Sequence, residues 1–195
     1  VNNITNVARI FFIKTIYSML LSLFNIVTNT AFPFIPIQIT LIDLVIEGYT
    51  SFFLSFLENS KPLKGTFLRT VIQNAMPYAL TIIISIVLLT FSREGLGLST
   101  GEAQTLMYLI IGGVSIFAVI EACRPFNRIS TFLCTTTAIG FFFAAILFKN
   151  ILHLTGITEQ VIIILVAALI LAYIVVTGLK HLINNLSQDL EKASE

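Results

Sequence analysis

Ile39-Thr40-Leu41-Ile42-Asp43-Leu44-Val45-Ile46-Glu47-Gly48 places two acidic residues inside an apolar block that extends from Phe34 to Leu57. A spacing of four puts both carboxylates on one face of a helix, about 6 Å apart along the axis. A charge at the middle of a bilayer costs several kcal/mol, so acids there usually face an ion, a partner or water. Asp43 and Glu47 therefore predict a cation site.

The composition predicts an integral membrane protein. Of the 195 residues, 56% are hydrophobic and 11% are charged, and the mean hydropathy is +0.96. A soluble domain carries about 25% charged residues. Blocks long enough to cross a hydrocarbon core of about 30 Å recur along the chain. The predicted fold is an all-α bundle of six transmembrane helices, with spans at 10–27, 34–57, 67–91, 105–122, 129–148 and 160–179.

The basic residues predict the orientation of the bundle. With six spans, both termini lie on one side of the membrane. Eight of the eleven lysines and arginines fall on that side: Arg9, Lys61, Lys64, Arg69, Arg124, Arg128, Lys180 and Lys192. Arg93 and Lys149 fall on the other side, and Lys14 lies within a span. Because cytoplasmic loops are enriched in Lys and Arg, both ends are predicted to be cytoplasmic.

The composition also indicates which domains and partners to expect. We expect a transmembrane domain over residues 1–183 and a short cytoplasmic tail over 184–195, in a piece of a longer protein. The lipid bilayer and the remainder of the polypeptide are the expected partners. A net charge of +1 indicates no nucleic-acid partner. Cys123 and Cys134 lack metal-ligand spacing and are read as small apolar residues.

Two carboxylates do not complete a site for a hard cation such as Ca²⁺, which takes six to eight oxygens. Gln38 precedes the acids on the same helix, and Thr15 and Ser18 place hydroxyls at mid-depth of the first span. These three residues are secondary candidate ligands. Pro36 and Gly48 flank the segment, and an unwound backbone there would free carbonyl oxygens as further ligands.

Three other features need interpretation. Lys14 and Glu121 each have two possible roles, and the adjacent glycines have a structural role. Lys14 either extends its ammonium to the cytoplasmic surface or pairs with Asp43 or Glu47. Glu121 either pairs with the neighbouring Arg124 or Arg128, or has a role in ion entry. Gly112-Gly113 would let a neighbouring helix approach closely.

Several motifs together resemble the C-terminal membrane half of P-type cation-transporting ATPases, transmembrane helices five to ten. Asn2-Asn3, Ile35-Pro36-Ile37-Gln38 and Asp43-Leu44-Val45-Ile46-Glu47-Gly48 fall in the same order as in the calcium pumps of this family. The run Lys14-Thr15-Ile16-Tyr17-Ser18 further resembles a bacterial subgroup for which calcium export is the best supported activity.

The resemblance implies roles for individual residues. Asp43 stands where calcium pumps have Asn, Glu47 stands at their essential Asp, and Ile46 replaces a ligand Thr. Thr15 and Ser18 stand where the fifth helix supplies Asn and Glu, which implies a single ion site. The transported cation would be Ca²⁺, with protons as counter-ions.

The resemblance also implies what lies outside this stretch. The Asp-Lys-Thr-Gly phosphorylation motif is absent from the sequence, so ATP and Mg²⁺ would be used only by the full-length protein. Two other classes stay open at this point: a standalone proton-coupled transporter that uses the acid pair as a relay, and a structural membrane subunit whose acids bind neighbouring helices.

Overall fold

The computed structural model describes residues 2–30, 32–56 and 66–192, with only the backbone of residues 2–3 and 188–192. These ranges contain six long helices and no strand: α1 (Asn2–Thr28), α2 (Pro36–Phe56), α3 (Phe67–Ser92), α4 (Thr100–Ala122), α5 (Arg128–Leu147) and α6 (Glu159–Lys192). Each is long and apolar enough to cross a membrane. The prediction of an all-α bundle with six spans is confirmed.

The helix starts follow from local sequence. At α4, the Glu102 carboxylate accepts a hydrogen bond from the Ser99 backbone N–H at 2.9 Å, and the Ser99 hydroxyl accepts one from the Glu102 N–H. Asn127 and Ser130 form the same reciprocal cap at the start of α5. Each cap satisfies N–H groups that the first turn of a helix leaves free.

The helix α4 lies at the centre of the bundle and is buried over most of its length. Its two adjacent glycines face two different neighbours. A Cβ at Gly112 would lie 2.1 Å from the Phe141 ring of α5, and one at Gly113 would lie 2.4 Å from Leu169 of α6. The expectation that Gly112-Gly113 admits a close neighbour is therefore confirmed, because no larger residue fits there without displacing a packed side chain.

The middle of α2 has an unusual backbone. Ile42–Tyr49 forms a π-helix between the α-helical segments Pro36–Leu41 and Thr50–Phe56. An unwound backbone at this position would free carbonyl oxygens as ligands, whereas the backbone remains helical from Pro36 to Phe56. π-Helical turns are rare and frequently occur at functional sites. This one contains both Asp43 and Glu47.

Polar contacts show which helix ends lie together. At one end, Arg9 of α1, Tyr78 of α3, Glu121 of α4 and Lys180 of α6 form a cluster. At the opposite end, the link between α5 and α6 contacts the starts of α2 and α4 through Gln38–Leu152 and Thr105–Thr155. The helices thus alternate in direction, and the start of α1 lies at the same end of the bundle as the end of α6.

Two predictions extend past the described residues. Lys61 and Lys64, used to predict the orientation, lie outside them, as does Leu57 at the end of the second block. The helix α6 continues beyond residue 183 to Lys192, and residues 193–195 again lie outside. The division into a membrane domain and a tail at residue 184 stays a prediction.

Candidate cation site

The acid pair lies against a lysine from the first helix. Lys14 Nζ is 2.5 Å from Asp43 Oδ1 and 3.6 Å from Glu47 Oε2. The Glu47 side chain is 5% exposed, against 43% for Asp43 and 32% for Lys14. Of the two readings of Lys14, the ion pair is confirmed, and the extension of its ammonium to the surface is wrong.

The packing of α1 explains why Lys14 reaches the acids. The buried residues of this helix, Ile10, Ile13, Tyr17 and Leu21, recur every three or four positions and form its inward face. Lys14 follows Ile13 and lies at the edge of that face. Its long side chain therefore extends along the interface toward the π-helical segment, where the two carboxylates offset the cost of placing an ammonium among apolar helices.

The contact between Lys14 and the buried Glu47 is longer than a hydrogen bond. Its length of 3.6 Å exceeds the roughly 2.7–2.9 Å of a charge-assisted hydrogen bond. With both acids ionised, the three side chains carry a formal charge of −1. A buried carboxylate in a group of side chains with a net negative charge is suited to bind a cation or a proton.

The described residues supply few acidic ligands beyond this pair. Among them, no group of three or more His, Cys, Asp or Glu side chains could hold a metal ion. Further oxygens must therefore come from neutral groups, from water or from outside the described ranges, because Ca²⁺ takes six to eight.

The three secondary candidates differ in their placement. Gln38 is buried near the end of the bundle. Its amide oxygen accepts a hydrogen bond from the Ile35 N–H at 3.0 Å, and its amide nitrogen donates one to the Leu152 carbonyl at 2.9 Å. Thr15 is exposed, and its hydroxyl donates to the Phe11 carbonyl of its own helix. Ser18 is half-buried on the turn that follows Lys14. Roles as ligands stay predictions for all three, and the structure engages Gln38 and Thr15 elsewhere.

Two tyrosines are fully buried in the helices around the site. Tyr17 of α1 and Tyr108 of α4 are each 1% exposed. Tyr17 was expected, with Thr15 and Ser18, among the polar groups at mid-depth of the first span, whereas Tyr108 had no signal in the sequence, because a tyrosine within an apolar helix is usual in a protein core.

A second polar cluster surrounds Glu121 at the end of α4. Its carboxylate accepts a hydrogen bond from the Tyr78 hydroxyl at 2.7 Å, contacts the Lys180 ammonium, and lies 3.6 Å from Arg9 Nη1. Among the described residues, Glu121 forms no ion pair with its expected partners, Arg124 and Arg128. The chain leaves the helix after Ala122, which carries Arg124 away to an exposed position.

Sequence comparison places the chain among known proteins. It is 39% identical over 171 residues to a probable cation-transporting ATPase, exp7, of Streptococcus pneumoniae, a match that covers 82% of this chain and 22% of that protein. The chain belongs to the family of P-type cation-transporting ATPases. The resemblance drawn from its motifs is confirmed at the level of the family.

Further P-type ATPases match at lower identity. The calcium-transporting ATPase CtpE of Mycolicibacterium smegmatis is 25% identical over 154 residues, covering 71% of this chain and 20% of the relative. CtpE of Mycobacterium tuberculosis is 29% identical over 143 residues, covering 65% and 18%. The chain thus spans about a fifth of the length of these relatives. No protein-family model and no solved structure matches it.

Proposed function

We propose that this chain is the C-terminal membrane half, helices five to ten, of an ATP-driven pump that exports a cation, with Asp43 and Glu47 as primary ligands. One observation carries the proposal: two carboxylates lie one turn apart in the π-helical middle of a membrane span and share one lysine. Charged groups at such a depth are expensive and usually functional.

Ca²⁺ is the proposed ion. Carboxylate oxygens are the ligands that hard cations prefer, and two of the relatives are named calcium-transporting ATPases. Two acids supply only part of the coordination that Ca²⁺ requires. The remaining ligands would come from water, from hydroxyls of this chain such as Ser18, and from helices elsewhere in the same polypeptide.

In this proposal, the positive charge of Lys14 neutralises the acids while no transported ion is bound. In the absence of the transported ion, its ammonium neutralises Asp43 directly and Glu47 at longer range. A divalent cation that enters between the carboxylates is repelled by the ammonium and must displace it. The lysine therefore sets the ion affinity, and protons that neutralise Glu47 after ion release would be the counter-ions.

The remaining functions lie elsewhere in the polypeptide. ATP and Mg²⁺ would act at cytoplasmic domains joined to this membrane half, and the partners of the bundle would be those domains, the other membrane helices and the surrounding lipid. The excess of basic residues at the end that holds both termini favours a plasma-membrane orientation with both ends cytoplasmic.

The proposal is tested by calcium-stimulated ATPase activity of the full-length protein. Asp43→Asn and Glu47→Gln should each weaken the apparent affinity for Ca²⁺ by at least tenfold, because each removes a charged ligand. Glu94→Gln is the matched control, since its carboxylate is 88% exposed and lies in a link. Full activity with unchanged affinity in both site variants would refute the assignment.

A further inference from the structure

A cavity of about 590 Å³ opens beside Glu121, at the end of the bundle that holds the start of α1 and the end of α6. Its lining includes Tyr78 of α3, Arg124 just after α4 and Lys180 of α6. None of the three charged residues of the candidate cation site lines it. We call it the basic cavity, because its charged side chains are mostly cationic.

The basic cavity has a surplus of positive charge. The Glu121 carboxylate is shared by Lys180 and by Arg9, whose Nη1 lies 3.6 Å from it. Arg124 forms no ion pair among the described residues, and its guanidinium lies 5.9 Å from the centre of the Phe126 ring. Three cations and one carboxylate leave a formal charge of +2. Such a surplus attracts an anion.

The two cations that line the basic cavity can still donate hydrogen bonds. An ammonium has three donors, and Lys180 directs two of them to the Tyr78 hydroxyl, at 2.8 Å, and to the Glu121 carboxylate. Its side chain remains 28% exposed. The guanidinium of Arg124 has five donors and is exposed. A phosphate group, with its charged oxygens, is the kind of ligand that Lys and Arg bind together.

An apolar groove leads from the basic cavity along α6 toward the middle of the membrane. Phe117 of α4 and Tyr173 of α6 line both spaces, and their rings pack edge to face with centroids 5.7 Å apart. The groove has a volume of about 390 Å³. Its other lining residues are all aliphatic: Val166, Leu169, Ile170 and Ile174. A ligand that fills both spaces therefore needs an anionic head and a hydrocarbon chain.

Together the two spaces have the length of one lipid molecule. Fourteen positions separate Val166 from Lys180, which corresponds to about 21 Å along a helix. One leaflet of a bilayer, with its headgroups, is half of about 40–45 Å thick. A soluble phosphate would occupy only the basic cavity and would leave the groove uncovered.

We propose that an anionic phospholipid binds at this position, with its phosphate between Lys180 and Arg124 and one acyl chain in the groove between α4 and α6. A zwitterionic headgroup fits less well, because the surplus positive charge repels its ammonium. Basic pockets between membrane helices on the cytoplasmic side bind anionic headgroups, and the basic residues predict that this end is cytoplasmic. The inference does not depend on the cation site.

The test compares two lipids with the same acyl chains, phosphatidylglycerol and phosphatidylcholine. Native mass spectrometry of the full-length protein in detergent measures how much of each is bound. We expect phosphatidylglycerol to bind about tenfold more tightly, and Arg124→Gln to weaken its binding about fivefold. Arg128→Gln is the matched control, because Arg128 is also exposed near the same link but does not line the basic cavity.

A second pair of variants tests the groove. Ile170→Trp fills it and should weaken the binding of both lipids about equally. Ile163→Trp is its control, since Ile163 is similarly exposed on α6 but lies outside the groove. Thermal unfolding without added lipid checks that each variant is folded. If Ile170→Trp does not fold, the comparison of Arg124→Gln with Arg128→Gln still decides.

Three results would overturn the inference. The first is equal affinity for the two lipids in the unchanged protein. The second is an equal loss of phosphatidylglycerol binding in Arg124→Gln and Arg128→Gln, which would indicate a general attraction to the basic surface. The third is displacement of phosphatidylglycerol by an equal concentration of glycerol 3-phosphate, which would indicate a site for soluble phosphates that makes no use of the groove.

Discussion

Lys14 and Asp43 form an ion pair of 2.5 Å between two helices of the bundle. The pair joins the inward-facing side of α1 to the π-helical segment of α2, across 29 positions of sequence. An ammonium at this position has two consequences. It stabilises the acids in the absence of the transported ion, and it competes with that ion for the same carboxylates.

The first prediction concerns this competition. Lys14→Met removes the ammonium and retains an unbranched apolar side chain, so the apparent affinity for Ca²⁺ should rise by about tenfold, equivalent to about 1.4 kcal/mol. Competition by protons should become stronger at low pH, because no fixed cation opposes their binding. Calcium-stimulated ATPase activity of the full-length protein, measured over a pH series, checks both effects.

Lys14→Arg is the control for this prediction because it retains the positive charge. Its calcium affinity should remain much closer to that of the wild type than the affinity of Lys14→Met does. If Lys14→Met changes neither the affinity nor its pH dependence, the lysine is not a counter-charge.

The second prediction separates stability from ion binding at Gln38. Gln38→Ala removes two hydrogen bonds of a buried amide and should lower the free energy of unfolding by about 2 kcal/mol, since each bond contributes roughly 1 kcal/mol. Calcium affinity should not change. Gln160→Ala is the control, because the exposed Gln160 donates one bond to the Leu96 carbonyl. A tenfold loss of calcium affinity in Gln38→Ala would instead identify Gln38 as a ligand.

The third prediction concerns packing at the centre of the bundle. Gly112→Ala places a methyl group against the buried ring of Phe141 and should destabilise the protein by about 1–3 kcal/mol. At Gly178 the new carbon would meet no side chain or other helix within 4 Å among the described residues, so Gly178→Ala should be neutral or slightly stabilising in a helix interior. Thermal unfolding in detergent compares the two. Equal effects would show that Gly112 is not required for helix approach.

The fourth prediction concerns the cluster at the end of α4. Glu121→Gln removes the negative charge that, among the described residues, Arg9 and Lys180 share. The Arg9 guanidinium, which is 5% exposed, then keeps its hydrogen bond to the Ala118 carbonyl but loses its counter-charge, and this should cost about 2–4 kcal/mol of unfolding free energy. Glu94→Gln, at an exposed pair of 3.6 Å with Arg93, should cost less than about 1 kcal/mol. Similar losses in the two variants would mean that the cluster contributes no more than a surface pair.

The helices of this protein were largely predictable from its sequence. In a bilayer, each span must satisfy its backbone hydrogen bonds internally. Length and hydropathy therefore identified α2 to α5 with small errors at their ends, while α1 begins earlier than the predicted span at Ile10 and α6 continues past Leu179. The acid pair was also predictable from the sequence, because carboxylates are rare within an apolar block.

The partners of the polar side chains depended on the tertiary structure. Lys14 had two readings until the packing of α1 on α2 brought its ammonium to Asp43. Glu121 binds Lys180, 59 positions away, rather than the adjacent arginines. The π-helical turn at Asp43 and Glu47 had no signal in composition or spacing. Sequence alone determined which segments are helical, because the bilayer makes that a local property, whereas only the packing of the helices decided which buried charges and hydroxyls share a site.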